Sequence, residues 1–150
     1  MKRYSWILMT MIAIGAIVSC KSEKQTDNPF LEDYTTPFGV PPFDKIRVEH
    51  FEPAIMEGIK QQLAEVEAIT TNSEKPTFEN TIIPLDYSGD LLTKVVLTME
   101  NINSANTSEE LQEMLKKVSP VLSKHRDDIS MNPKLFERVK MVYSSMNESS

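Results

Sequence analysis

TFENTIIPLDYSGDLLTKVVLTMENIN, residues Thr77 to Asn103, decides the fold. Ile82, Leu85, Gly89, Leu92, Val96, Met99 and Asn103 recur at alternating steps of three and four residues, the period of one helix face. Thr77 is a natural N-cap, because its hydroxyl can accept from the amide of Glu79 or Asn80, and Glu79 adds negative charge in the first turn. Gly89 on the buried stripe would let a neighbouring helix approach closely. Pro84 removes an amide donor and orphans the carbonyl of Asn80, which predicts a kink near residue 80 or a helix that starts properly only beyond it.

The same period continues on both sides. Upstream, Phe51, Ile55, Ile59, Leu63 and Val66 define an amphipathic helix of about five turns, with Glu57, Lys60, Gln61, Glu65 and Glu67 mostly between them. The segment Thr71 to Pro76 breaks it. Downstream, Thr107 or Ser108 can cap a third helix whose stripe is Leu111, Leu115, Val118, Leu122, His125 and Ile129, with Pro120 expected to bend it. Asn132 as cap and Pro133 at the first helical position open a fourth, with stripe Leu135, Phe136, Val139, Val142, Tyr143 and Met146. No run alternates strictly at period two for long enough to argue for a sheet. Residues 44–150 are therefore expected to form an all-α bundle of about four helices, ending at SSMNESS with an apolar face that little is left to cover.

The first nineteen residues read as a secretory signal: Lys2 and Arg3 give a basic start, then Tyr4 to Ser19 is uncharged. Sixteen residues fall short of the roughly 20 that a spanning helix prefers. The run ends Ile17, Val18, Ser19, Cys20, which resembles a bacterial lipobox and implies cleavage between Ser19 and Cys20 with lipid attached to the Cys20 sulfur. Cys20 is the single cysteine, so it has no disulfide partner in the chain. Lysine follows it, which suggests an outer-membrane anchor facing the periplasm. Residues 20–43 then form a lipidated tether and a strip rich in proline and aromatics, expected to lie extended in a groove of the body from about Asn28 onward.

Composition excludes several classes. A formal charge of −6, or −8 once Lys2 and Arg3 leave with the signal, gives no basic face for nucleic acid. The four glycines are too scattered to cradle a phosphate. There is no G-x-S-x-G, and Cys20 is committed to the anchor, so nucleophilic catalysis has no candidate. Of the two histidines, His50 precedes Phe51 at a helix start and reads as packing that end, while His125 lies on an apolar stripe and reads as a satisfied, partly buried residue. Neither belongs to H-E-x-x-H. The acidic neighbours Glu109/Glu110 and Asp127/Asp128 point about 100° apart on a helix and cannot share a proton. Asn106-Thr107-Ser108 and Asn147-Glu148-Ser149 fit a glycosylation sequon but read as chance beside a bacterial-type lipobox.

PPFDKIRVEHFEPAIMEGI, PTFENTIIPLDYSG, NINSANTSEELQEM and DDISMNPKLFERVKMVY, in unbroken order over about residues 28–143, together resemble the N-terminal region of the peptidyl-dipeptidase and oligopeptidase A branch of the thimet oligopeptidase family. The resemblance implies an almost wholly helical zinc metallopeptidase several times this length, cutting short peptides in a deep channel. Zinc would polarise the scissile carbonyl and activate water there. Its H-E-x-x-H and later glutamate would lie downstream, in a C-terminal catalytic domain, so no catalytic or metal residue is assigned in this chain. What it would contribute is a membrane anchor at Cys20 and part of the channel wall. The alternative is a free-standing helical lipoprotein that binds a peptide or protein partner without catalysis. Pro84 departs from the family pattern, where a helix former is usual.

Overall fold

A computed structural model describes residues 27–148. The architecture is all-α: four long helices, one short one and several single turns, with no strand among the described residues.

The chain enters through Asn28, whose side chain fastens two segments at once. Its Oδ1 accepts from the amide of Phe30 at 3.1 Å and its Nδ2 donates to the carbonyl of His50 at 2.9 Å. The 3-10 turn Pro29–Leu31 is thereby held to the start of the first long helix. Phe30 is 1% exposed and its ring lies 5.2 Å from that of Phe51. Tyr34 packs on the same core, with the Lys94 ammonium 4.4 Å from its ring centre. Beyond Tyr34 the strip leaves the body. Thr36 to Val40 is a tight turn with Phe38 at its tip, fully exposed and at φ +62. The strip is thus a chain of short 3-10 turns, docked by Phe30 and Tyr34 and free at Phe38 and Phe43.

Helix α1, Phe51–Thr71, buries Phe51, Ala54, Ile55, Gly58, Val66 and Ile69. The line expected to run through Ile59 and Leu63 is displaced: Leu63 is 43% exposed. The inward line instead passes Phe51, Ile55, Gly58, Gln62, Val66 and Ile69, still at steps of three and four, with a glycine and a glutamine at its centre.

Thr77 to Asn103 is not one helix. Thr77 caps as expected, its hydroxyl accepting from the amide of Asn80 at 3.2 Å while Asn80 Oδ1 accepts from the amide of Thr77 at 2.8 Å. A wide π turn, Phe78–Ile82, follows, closed by the Ile83 amide on the Phe78 carbonyl. This widening sits immediately before Pro84, where an ordinary turn would need the missing proline amide. The short helix α2, Ile83–Asp86, then stops, and Gly89 at φ +76 starts helix α3, Asp90–Asn106. The left-handed residue resets the helical phase, so α3 buries Leu92, Val95, Thr98 and Met99, and Val96 is only half-buried.

Ser108, not Thr107, caps helix α4, Glu109–Ser130, by accepting from the Leu111 amide at 3.2 Å. The helix runs uninterrupted through Pro120 and turns Leu111, Val118 and His125 inward. Asn132 Oδ1 accepts from the amides of Lys134 and Leu135 at 3.0 and 3.1 Å and opens helix α5, Pro133–Glu148. Of its expected stripe Leu135 and Val142 are buried, while Phe136, Tyr143 and Met146 are exposed.

Helix α1 is the spine. Its first half packs on α3 and α4 in a core containing Phe30, Phe51, Ile55, Val95, Met99, Leu111 and Val118. Its second half packs on α5 in a smaller core of Val66, Ile69 and Leu135.

Candidate functional site

Between these two cores the side chains are polar: His125 is buried, and Gln62 and Ser88 are half-buried. Gln62 occupies the inward line of α1 where an apolar residue would join the cores. Its Nε2 donates to the carbonyl and hydroxyl of Ser88, both at 3.3 Å, which leaves Oε1 as an acceptor 2.7 Å from His125 Nε2. His125 therefore carries its proton on Nε2, and Nδ1 presents a lone pair. That Nδ1 is buried without a hydrogen-bond partner. Burial of the ring pushes its pKa below the ordinary imidazole value, with Asp128 pulling weakly the other way. One turn further along α1, Glu65 Oε2 accepts from the Gly89 amide at 2.8 Å. A side chain at Gly89 would meet Gln62, since a Cβ there would lie 2.4 Å from the amide group.

This junction floors an open groove of about 500 Å³ between α3 and α4. Leu92, Val96, Leu97, Leu122 and Ile129 make its walls apolar, and Glu100 and Arg126 stand at its rim. Such a groove can receive an apolar side chain over a polar floor; it has no nucleophile poised against a base. A second opening, of about 520 Å³, lies under the N-terminal strip between Tyr34 and His50 and is edged by charges of both signs. Burial raises the Tyr34 pKa above its usual value.

A third polar group is buried beneath α5. Arg138 is 8% exposed. Its Nη1 donates to the carbonyls of Asn72 at 2.7 Å and Glu74 at 3.4 Å, and its Nη2 to Asn80 Oδ1 at 3.2 Å and Thr81 Oγ1 at 3.3 Å. One guanidinium thus ties α5 to the α1–α2 connection.

Ser19 and Cys20 lie outside the described residues. The structure does not bring the two histidines together: the His50 Nδ1 accepts from the Arg47 amide at 3.1 Å at the start of α1, and His125 meets Gln62 three turns further along. Glu109, Glu110, Asp127 and Asp128 are all exposed on α4. Among the described residues no three His, Cys, Asp or Glu side chains converge so as to hold a metal ion. Gln62, Glu65 and Arg138 are not legible as site residues from the sequence, because a polar residue on an amphipathic helix belongs by default to the solvent face. The available signal was register: Gln62 falls four residues after Gly58 and four before Val66, and Arg138 three after Leu135 and four before Val142.

No protein-family model matches the chain. Among curated proteins it is similar to dipeptidyl carboxypeptidase of Escherichia coli K12, 42% identical over 118 residues, which are 79% of this chain and 17% of that protein. It is 31% identical over 110 residues to oligopeptidase A of the same organism, covering 73% of this chain and 16% of the relative. The organellar oligopeptidase A of Arabidopsis thaliana is 27% identical over 137 residues, 91% of this chain and 16% of that protein. The chain thus spans about one sixth of the length of the relatives it matches. The all-helical body and these relationships place the chain with the N-terminal region of the dipeptidyl carboxypeptidase and oligopeptidase A family of metallopeptidases.

Proposed function

We propose that this chain supplies the helical, non-catalytic N-terminal portion of a peptidyl-dipeptidase or oligopeptidase that hydrolyses short peptides, and that its helices form part of the wall of the substrate channel. The observation that carries the reading is the 42% identity to a dipeptidyl carboxypeptidase over 118 residues. The zinc ion implied by that family does not fit the described residues: no three suitable ligands meet, and His50 and His125 stand about three turns of α1 apart. The role left to these residues is shape. A rigid body built on α1, with apolar grooves between its helices, suits a wall that admits unfolded peptides and holds back folded ones.

The anchor belongs to the same proposal. The lipobox-like Ile17-Val18-Ser19-Cys20 supports export and lipid attachment at Cys20, and the lysine that follows supports an outer-membrane anchor that would hold the body at the cell envelope, facing the periplasm. No helix among the described residues is long and apolar enough to cross a membrane.

The test is a chimera in which the matched stretch of the Escherichia coli dipeptidyl carboxypeptidase is replaced by the corresponding residues of this chain. The expected result is cleavage of short peptides, abolished by a zinc chelator, with a folded protein substrate left intact. A soluble, folded chimera without peptidase activity would overturn the reading, and digestion of folded protein would overturn the wall.

A further inference from the structure

Helix α4 is fastened at both ends and thinly in between. Its first half puts Leu111 and Val118 into the larger core, and Lys117 Nζ lies 2.7 Å from Glu52 Oε2 at the start of α1. At the far end Ile129 packs on the smaller core, and Asn132 holds the start of α5. Within residues 119–130 the one buried side chain is that of His125; Leu122 and Ile129 are half-buried and the others are exposed. The stretch also begins at a weak point. Pro120 has no amide to offer the Lys116 carbonyl, and the Ser119 hydroxyl donates to the Leu115 carbonyl at 2.6 Å, a back-bond that loosens a helix.

The polar tie between this stretch and α1 is the hydrogen bond from His125 Nε2 to Gln62 Oε1 at 2.7 Å, made by a neutral ring. A second proton would have to go on Nδ1, which is buried and has no acceptor. The charged groups around the ring do not supply one. On α4, Asp128 pairs with Lys124 at 2.5 Å and Arg126 is itself a cation; on α1, Glu65 accepts from the Gly89 amide; on α3, Glu100 stands at the groove rim. An imidazolium held here would leave one N–H unsatisfied and its charge cut off from water.

We propose that His125 is an acid-released latch: when the ring takes a proton on Nδ1 from water it leaves its seat on Gln62, residues 120–129 lift from α1 with Pro120 as the pivot, and the groove between α3 and α4 widens while both cores stay closed. The device belongs to the helical body and does not depend on the family reading. Its direction follows from proton linkage. The lifted ring titrates near the ordinary value of 6.5 and the seated ring below it, so acid draws the stretch open. Between pH 7.5 and pH 5 the ratio of lifted to seated rises by up to about thirtyfold, the limit for a ring that binds its proton only when lifted.

Amide hydrogen exchange of the 150-residue chain at pH 7.5 and pH 5, corrected for the intrinsic pH dependence of exchange, reads this out. Protection over residues 121–129 should fall by about ten- to thirtyfold on acidification, while that of Ile55, Val95 and Met99 changes by less than about threefold. His125→Gln keeps an amide that can bond Gln62 and takes up no proton, so its protection over the same stretch should be alike at the two pH values. Pro120→Ala returns a donor to the Lys116 carbonyl and should slow exchange there at both pH values while leaving their ratio unchanged. Equal protection of the parent at both pH values would overturn the latch. So would a fall of the same size in every helix, which would make the whole fold the acid-sensitive unit, and so would a local fall that persists in His125→Gln. Unaltered exchange in Pro120→Ala would overturn the pivot.

Discussion

Gly58 of α1 lies directly against the backbone of Leu92 in α3: a Cβ added at Gly58 would stand 2.9 Å from both the amide nitrogen and the Cα of Leu92. Those atoms belong to a helix backbone and cannot swing aside. The contact between α1 and α3, the most extensive in the body, depends on a residue without a side chain.

Gly58→Ala is therefore expected to destabilise, although alanine is the better helix former by about 1 kcal/mol. Forcing α1 and α3 apart should cost about 1–3 kcal/mol. Urea denaturation followed by circular dichroism measures the difference, and a variant as stable as the parent would contradict the packing described.

His125 makes folding sensitive to acid. Its pKa in the folded chain is below the ordinary value of 6.5, chiefly through burial, so the unfolded state takes up the proton first. Its contribution is fully present above that ordinary value and is lost as the pH falls below it toward the depressed folded pKa. Thermal midpoints between pH 7.5 and 5 should fall more steeply for the parent than for His125→Gln; identical slopes would show that the imidazole is not the titrating group.

Arg138→Met should cost about 1.5–3 kcal/mol, the worth of a charged hydrogen-bonding group, while keeping much of the side-chain volume. The damage should be local to its acceptors. Amide exchange at Thr77 and Asn80 should accelerate more than at Val95 or Met99, and a uniform change across the chain would argue against a specific tie between α5 and the α1–α2 connection.

Phe30→Ala removes a ring packed on Phe51 and should cost about 3–5 kcal/mol. Because Phe30 is the deepest anchor of the N-terminal strip, protease should then cut between Leu31 and Phe43 before it cuts α1. Cleavage in α1 at an equal rate would mean that the strip is not held by this contact.

The sequence by itself determined the helical class and most of the helix ends. Those signals are local: Thr77 and Asn132 cap because a short oxygen-bearing side chain reaches amides two or three residues on, and the three-and-four spacing of apolar residues needs only one element to be seen. It also contained the blocks that resemble the peptidase family. It could not settle the phase of each stripe. The spacing makes Gly89 a packing glycine within one long helix, yet its left-handed backbone divides α2 from α3 and turns Val95 inward in place of Val96. Nor could it separate Leu135 and Val142, which are covered, from Phe136 and Tyr143, which are not. Only the tertiary structure decided these matters, because whether a side chain is buried depends on which helix arrives opposite it. It alone placed Gln62 between two cores, where an amide can bond Ser88 and His125 at once, and set Arg138 among four oxygen acceptors from a segment more than fifty residues away in sequence.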